Sequence, residues 1–261
     1  MEPRTTLPLD IFIYIIELLA SRGDDEDIMS LQILSQACKS MVPLCRKHLF
    51  SSLYLRSKLD SERFSDLLSK NPDIACYVRS LDYKVFNPIT DHELNVLDML
   101  KERSSLQLIE LSSSNVDWNN FPESIRSSLV SLIQLPTVTQ LDIYSCKGFP
   151  AMALSGCSNL IDLELRELEL VPPEVDQVIL RSKIPTPVSL YITGSIIDCG
   201  LAARVLAALL NSASLHAGGP IVDFSGLLKA SFDVDFGGNI VHVNDLIKVT
   251  TRLEHFCIKS E

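Results

Sequence analysis

The chain has 261 residues, with 33 acidic against 23 basic side chains, a formal net charge of -10 and a pI near 5.0. That balance argues against nucleic acid or an anionic membrane as partner, because both demand concentrated Lys and Arg, and no basic stripe occurs. At 46% hydrophobic and 21% charged, the chain is long and apolar enough to order a substantial core throughout.

From Leu9 to Leu19 the sequence reads LDIFIYIIELL, whose only polar side chains are Asp10, Tyr14 and Glu17. Spaced i, i+4 and i+7, these leave one narrow wetted stripe on a helix and apolar groups over most of the remaining circumference. Leu7-Pro8 opens the helix with proline near its first turn, where a missing N–H costs nothing, and Asp10 follows at the positive end of the dipole. Glu17 and the lack of a small-residue cleavage site argue against a secretory signal. The apolar stretch, about a dozen residues, falls short of the roughly 20 that span a bilayer.

Gly23 and the run Asp24-Asp25-Glu26 close this helix in a solvated loop, and Asp27 to Leu34 and Gln36 to Phe50 read as two further short helices. Residues 7–50 then form at most a three-helix cluster, and a unit below roughly 40–60 residues rarely buries enough area to stand alone. Its surplus apolar surface reads either as a docking face for another protein or as a face packed on the rest of this chain.

The same segment strings together Leu7-Pro8, the isoleucine-rich helix, Asp27-Ile28, Leu31, Leu34, Ser35-Gln36-Ala37-Cys38-Lys39, Met41-Val42, Leu44 and His48-Leu49-Phe50. In that order and at those distances it resembles the F-box. Met41 stands where that family usually carries tryptophan, and the loop at 20–27 is longer than usual. The resemblance implies a partner, the Skp adaptor of cullin-RING ubiquitin ligases, and a role in which the rest of the chain selects the protein to be ubiquitinated. Carried over by position, the adaptor-facing residues are Leu7, Pro8, Ile11, Ile15, Leu34 and Cys38.

The seven cysteines, at 38, 45, 76, 146, 157, 199 and 257, are odd in number and widely spread. With no C-x-x-C and no histidines at ligand spacing, they read as buried free thiols rather than disulfides or metal ligands. An intracellular protein, in cytosol or nucleus, is expected.

Beyond residue 70 a phrase of two apolar residues around one polar residue recurs: Val78-x-x-Leu81-x-Tyr83, Leu106-x-x-Ile109-x-Leu111, Val138-x-x-Leu141-x-Ile143 and Leu160-x-x-Leu163-x-Leu165. Weaker copies stand at Leu190-x-Ile192 and Phe232-x-Val234, and a clear one at Leu253-x-x-Phe256-x-Ile258. This is the L-x-x-L-x-L pattern of a leucine-rich repeat, each copy a short strand, and Cys146 falls at its asparagine-or-cysteine position. Start-to-start intervals of 28, 32 and 22 residues make the array degenerate.

Helices are expected between the strands: Asp91 to Lys101 behind the capping box Thr90-x-x-Glu93, Glu123 to Leu135 after Pro122, Glu174 to Arg181 after Pro172-Pro173, and Leu201 to Leu210. Gly218-Gly219-Pro220 and Gly237-Gly238 read as turns. The last strand ends at Ile258 with Lys259-Ser260-Glu261 after it and no polar capping helix, so the expectation is either a shortened chain or a partner over that edge.

The expected fold is therefore α/β: a three-helix F-box over residues 1–55, a linker or first connecting helix over 56–72 with the joint at Asn71-Pro72, and a leucine-rich-repeat solenoid over 73–261. Such a solenoid is a curved parallel sheet with helices on its convex side. A doubly wound α/β domain is the competing fold, but it brings long Val/Ile-rich strands and a glycine-rich phosphate turn, and neither occurs here. The whole chain resembles the F-box leucine-rich-repeat group in its divergent fungal form, in which the repeats take the substrate.

On the concave face the outward residue of each phrase gives a column: Asp82, Glu110, Asp142, Glu164, Tyr191, Asp233 and Cys257. With strands about 4.8 Å apart, the first four carboxylates stack into a ladder of like charge, unfavourable in the free protein. Two readings stand. The ladder receives a Lys- or Arg-rich substrate segment, flanked by Tyr144, Arg166 and Tyr191, or the acids merely keep an exposed sheet soluble.

Nothing points to covalent chemistry. Asp233 and Asp235 alternate onto one wet face, the histidines at 48, 92, 216, 242 and 255 form no ligand set, and no G-x-S-x-G elbow exists. The reading is a non-catalytic receptor of a ubiquitin ligase, with no cofactor and no metal. A repeat scaffold unconnected to ubiquitination, its N-terminal helices acting only as a cap, is the alternative.

Overall fold

The computed structural model describes residues 8–22, 24–86, 88–114, 116–172, 184–194, 201–215, 221–233 and 241–259. Leu7, Cys199, Asp235, the helix expected over 174–181 and both glycine turns lie outside the described residues.

Three helices lead the chain: α1 (Leu9–Arg22), α2 (Asp25–Ala37) and α3 (Met41–Leu49). The carbonyl of Pro8 accepts the first turn's N–H of Ile11 at 3.1 Å, and the Asp24 carboxylate caps α2 by accepting from Asp27 N at 2.8 Å. The third helix starts at Met41 rather than at Gln36, because Cys38 is extended and ends α2. Pro43 supplies the reason. In a helix begun at Gln36 its ring would strike the carbonyl of Lys39, whereas in the first turn of α3 its missing N–H is not needed.

The bundle closes on a core of its own, Ile16, Leu31, Met41 and Cys45, ringed by half-buried Phe12, Leu19, Ala20, Leu34, Leu44 and Leu49. Lys47 of α3 donates to Glu17 of α1, an exposed pair that contributes at most about 1 kcal/mol.

An eight-stranded sheet follows, built from β1 (Ser52–Leu55), β2 (Ser80–Lys84), β3 (Leu108–Ser112), β4 (Gln140–Tyr144), β6 (Asp162–Arg166), β8 (Ser189–Thr193), β9 (Lys229–Asp233) and β10 (His255–Lys259). The intervening β5 (Phe149–Pro150) and β7 (Leu170–Val171) form a small two-stranded parallel ribbon. Every pairing in the large sheet is parallel, and each strand pairs with the next one along the chain. A doubly wound sheet reverses its order at a switch point, and this one never does.

Helices α4 (Lys58–Lys70), α5 (Asp91–Arg103), α6 (Glu123–Ile133), α7 (Leu201–Leu215) and α8 (Val241–Val249) lie between strands, with α4 packed on α5, α5 on α6 and α7 on α8. One continuous core joins the inward strand residues, such as Leu81, Tyr83, Ile109, Leu111, Leu163 and Leu165, to Phe64, Leu97, Leu100 and Leu129 of the helices. The expected capping box of α5 is present. Glu93 accepts from Thr90 N at 2.7 Å and, though fully buried, also takes the Tyr83 hydroxyl at 3.3 Å.

Three expectations need correction. The sheet begins at Ser52 and not beyond residue 72: β1 pairs with β2, and Leu55, Phe64 and Leu68 are buried in the main core. Phe50-x-x-Leu53-x-Leu55 is a full copy of the repeated phrase, hidden because Leu49-Phe50 also reads as the end of a helix.

The phrase near residue 232 is displaced by two. Ala230 and Phe232 point inward and Ser231 outward, so Ser231 takes the column place expected for Asp233, which pairs instead with Thr193 and Lys259. Alanine is too small to stand out in an apolar pattern, yet it is the residue that alternation buries.

Finally, of the described cysteines only Cys45, Cys146 and Cys157 are buried, and Cys38, Cys76 and Cys257 are exposed. Burial pushes the Cys146 thiol up to about 11 and that of Cys157 up to about 12, which keeps both protonated and unreactive.

Candidate protein-interaction surfaces

Helix α1 divides its apolar surface three ways. Ile16 enters the bundle core, and Leu19 and Ala20 line a cleft of about 400 Å³ between the bundle and β1. Ile11, Tyr14, Ile15 and Leu18, at i, i+3, i+4 and i+7, form one exposed stripe, with Tyr14 69% accessible. On α2, Met29 and Ile33 are exposed one turn apart. Burying one such aliphatic side chain is worth about 1.5–3 kcal/mol, so the stripe represents a sizeable driving force that the described residues of this chain leave unused.

The residues expected to face a partner divide accordingly. Ile11 and Ile15 lie on the stripe, and Pro8 is exposed at its N-terminal end. Leu34 does not join them. Three residues past buried Leu31, it shares the inward face of α2 and packs against the bundle core. Cys38 is exposed in the break between α2 and α3, with Sγ 3.1 Å from the Ser40 hydroxyl, whose hydrogen bond lowers the thiol's pKa. Leu7 lies outside the described residues. Tyr14, Leu18, Met29 and Ile33 were not expected. Tyr14 reads as polar in sequence, but its ring extends the apolar stripe.

The open face of the sheet carries the second surface. Register places Tyr54, Asp82, Glu110, Asp142, Glu164, Tyr191, Ser231 and Cys257 in one row across the eight strands. The four carboxylates are thus adjacent, as expected. Two unit charges about 5 Å apart repel by roughly 3 kcal/mol at an effective dielectric near 20, so an uncompensated ladder would strain the fold.

The chain supplies its own compensation. Arg56, one residue past β1, donates to Asp82 from Nε at 2.7 Å and from a terminal nitrogen, and lies over the Tyr54 ring at 5.3 Å. Arg166 clasps Asp142 through Nε and a terminal nitrogen, reaches Glu164 at 3.2 Å, and lies over the Tyr144 ring at 5.1 Å. Both are two-point, charge-assisted contacts. Arg166 and Tyr144, expected as flanking contacts for a substrate, are therefore engaged with each other and with the ladder. Arg56 was not anticipated, because the strand that delivers it was not.

Glu110 has neither ion pair nor hydrogen bond among the described residues. Burial, followed by the charges of Asp82 and Asp142, holds its carboxyl above the ordinary range. Glu164 is raised by burial and by Asp142, with Arg166 pulling the other way. Asp142 is also lifted by burial, against the opposing Arg166.

Among the described residues no group of three or more His, Cys, Asp and Glu is arranged to hold a metal ion, and no helix is long and apolar enough to cross a membrane. No protein-family model matches the chain, and no curated protein matches it.

Proposed function

We propose that this protein is a non-catalytic substrate receptor of a cullin-RING ubiquitin ligase, working in cytosol or nucleus. On this reading residues 8–50 are an F-box that docks on the Skp adaptor, and the strand–helix array is a leucine-rich-repeat solenoid whose open face takes the target protein. The observation that carries it is the exposed stripe Ile11, Tyr14, Ile15 and Leu18 on a bundle whose own apolar core holds, among the described residues, four buried side chains. Such a unit gains most from an apolar groove on another protein. The unbroken succession of parallel strands supports a repeat array, which presents a long surface to a partner.

The chain then needs no reactive group. It acts by holding a target near enzyme subunits, so that transfer becomes effectively intramolecular. The test is affinity purification from the cells that make the protein, read by mass spectrometry. The adaptor is expected in the complex, and Ile11→Asp with Ile15→Asp should cut its recovery at least tenfold while circular dichroism stays unchanged. If the adaptor is absent from every complex recovered, a repeat scaffold outside ubiquitination replaces this reading.

A further inference from the structure

The open face is charged unevenly. Asp82 and Asp142 each hold a guanidinium, and Glu164 shares one, but Glu110 between them holds none. Two more acceptors beside it lack donors. Among the described residues Asp82 Oδ1, across the ladder, and Ser112 Oγ, two residues along the same strand and in register with Lys84, make no hydrogen bond, although their residues are only 3% and 2% exposed. Buried acceptors are ordinarily satisfied, so two of them flanking an unpaired carboxylate mark a place where a donor is missing.

Resting on the reading of this face as the surface that takes the partner, we propose that Glu110, Asp82 Oδ1 and Ser112 Oγ together receive one lysine ammonium from an extended segment of that partner.

The chemistry favours lysine. An ammonium is compact and offers three donors, one for each acceptor. These three sit on two neighbouring strands. Arg56 holds Asp82 through Oδ2 alone, with two nitrogens, so Oδ1 keeps its accepting capacity. Tyr144 is in register with Ser112, one strand over, so a lysine stem reaching Ser112 passes beside that ring.

The test uses the purified full chain without adaptor and an acetylated, amidated Ser-Thr-Lys-Thr-Ser peptide, followed by amide chemical shifts. The peptide should bind with a Kd of roughly millimolar and move the amides of Ser80–Lys84 and Leu108–Ser112. Glu110→Gln, near-isosteric and fold-preserving, should weaken it at least tenfold, and Ser112→Ala about threefold. Glu62→Gln, the same charge change on exposed α4, should leave it within twofold. Equal binding of a norleucine peptide, indifference to Glu110→Gln, or displacement by millimolar magnesium or calcium would each overturn the proposal. Because no adaptor is present, lysine binding with failed adaptor capture would sink the ligase reading alone, and the reverse result would sink only this one.

Discussion

The two ends of the molecule treat similar apolar content in opposite ways. In the sheet, alternate strand residues and one side of each packed helix close into a core that runs from Leu55 to Leu246. In the N-terminal bundle, α1 is at least as apolar, yet only Ile16 of it is fully buried, and Ile11, Tyr14, Ile15 and Leu18 remain outside. The difference is one of neighbours. A strand in an ordered array meets another copy of itself, whereas among the described residues α1 packs mainly on two short helices, α2 and α3, and is not surrounded by them.

The strongest way to break that contrast is to truncate one side chain of each kind. Leu165→Ala, in the fully buried middle of the sheet, should cost about 2–5 kcal/mol. Ile15→Ser on the exposed stripe should stay within about 0.5 kcal/mol. Thermal or urea denaturation of the two variants decides it, and comparable losses would mean that the stripe is covered.

A smaller effect separates the guarded acids from the unguarded one. Arg56→Ala leaves the buried Asp82 carboxylate without its partner and should cost about 1–2 kcal/mol, a value discounted for the exposure of the arginine. The urea midpoint of the variant measures it.

The smallest is opposite in sign. Glu110→Gln removes a like charge from the ladder and should raise stability by about 0.5–1 kcal/mol at neutral pH. Its carboxyl binds a proton more readily in the folded chain than at the ordinary 4.5 of the unfolded one. The wild-type penalty is therefore complete above the folded pKa, fades as pH falls through it, and is gone below 4.5. The difference in melting temperature between wild type and Glu110→Gln should shrink over that acid range. A constant difference would place the repulsion elsewhere.

Much of this architecture is legible in sequence. The phrases at Leu81, Ile109, Leu141 and Leu163 align in the sheet as they align on paper, and the acids between them share one row. Where reading failed, two signals overlapped or one was too weak. Phe50 belongs to a helix end and to a repeat phrase at once, and Ala230 hardly registers as apolar. Of the residues expected to face a partner, Ile11 and Ile15 are exposed and Leu34 is turned inward, while exposed Tyr14 escapes notice because a tyrosine ring counts as polar in a pattern and apolar on a surface.

Periodicity alone settles which side chains share a face, since a strand repeats every two residues and a helix every 3.6, and neighbours along the chain obey that without help from tertiary contacts. It cannot settle which charges meet. Arg56 finds Asp82 across 26 residues and Arg166 finds Asp142 across 24, contacts that exist only once parallel strands are brought side by side. That pairing, and not the count of acids, leaves Glu110 on the third strand without an ion pair among the described residues.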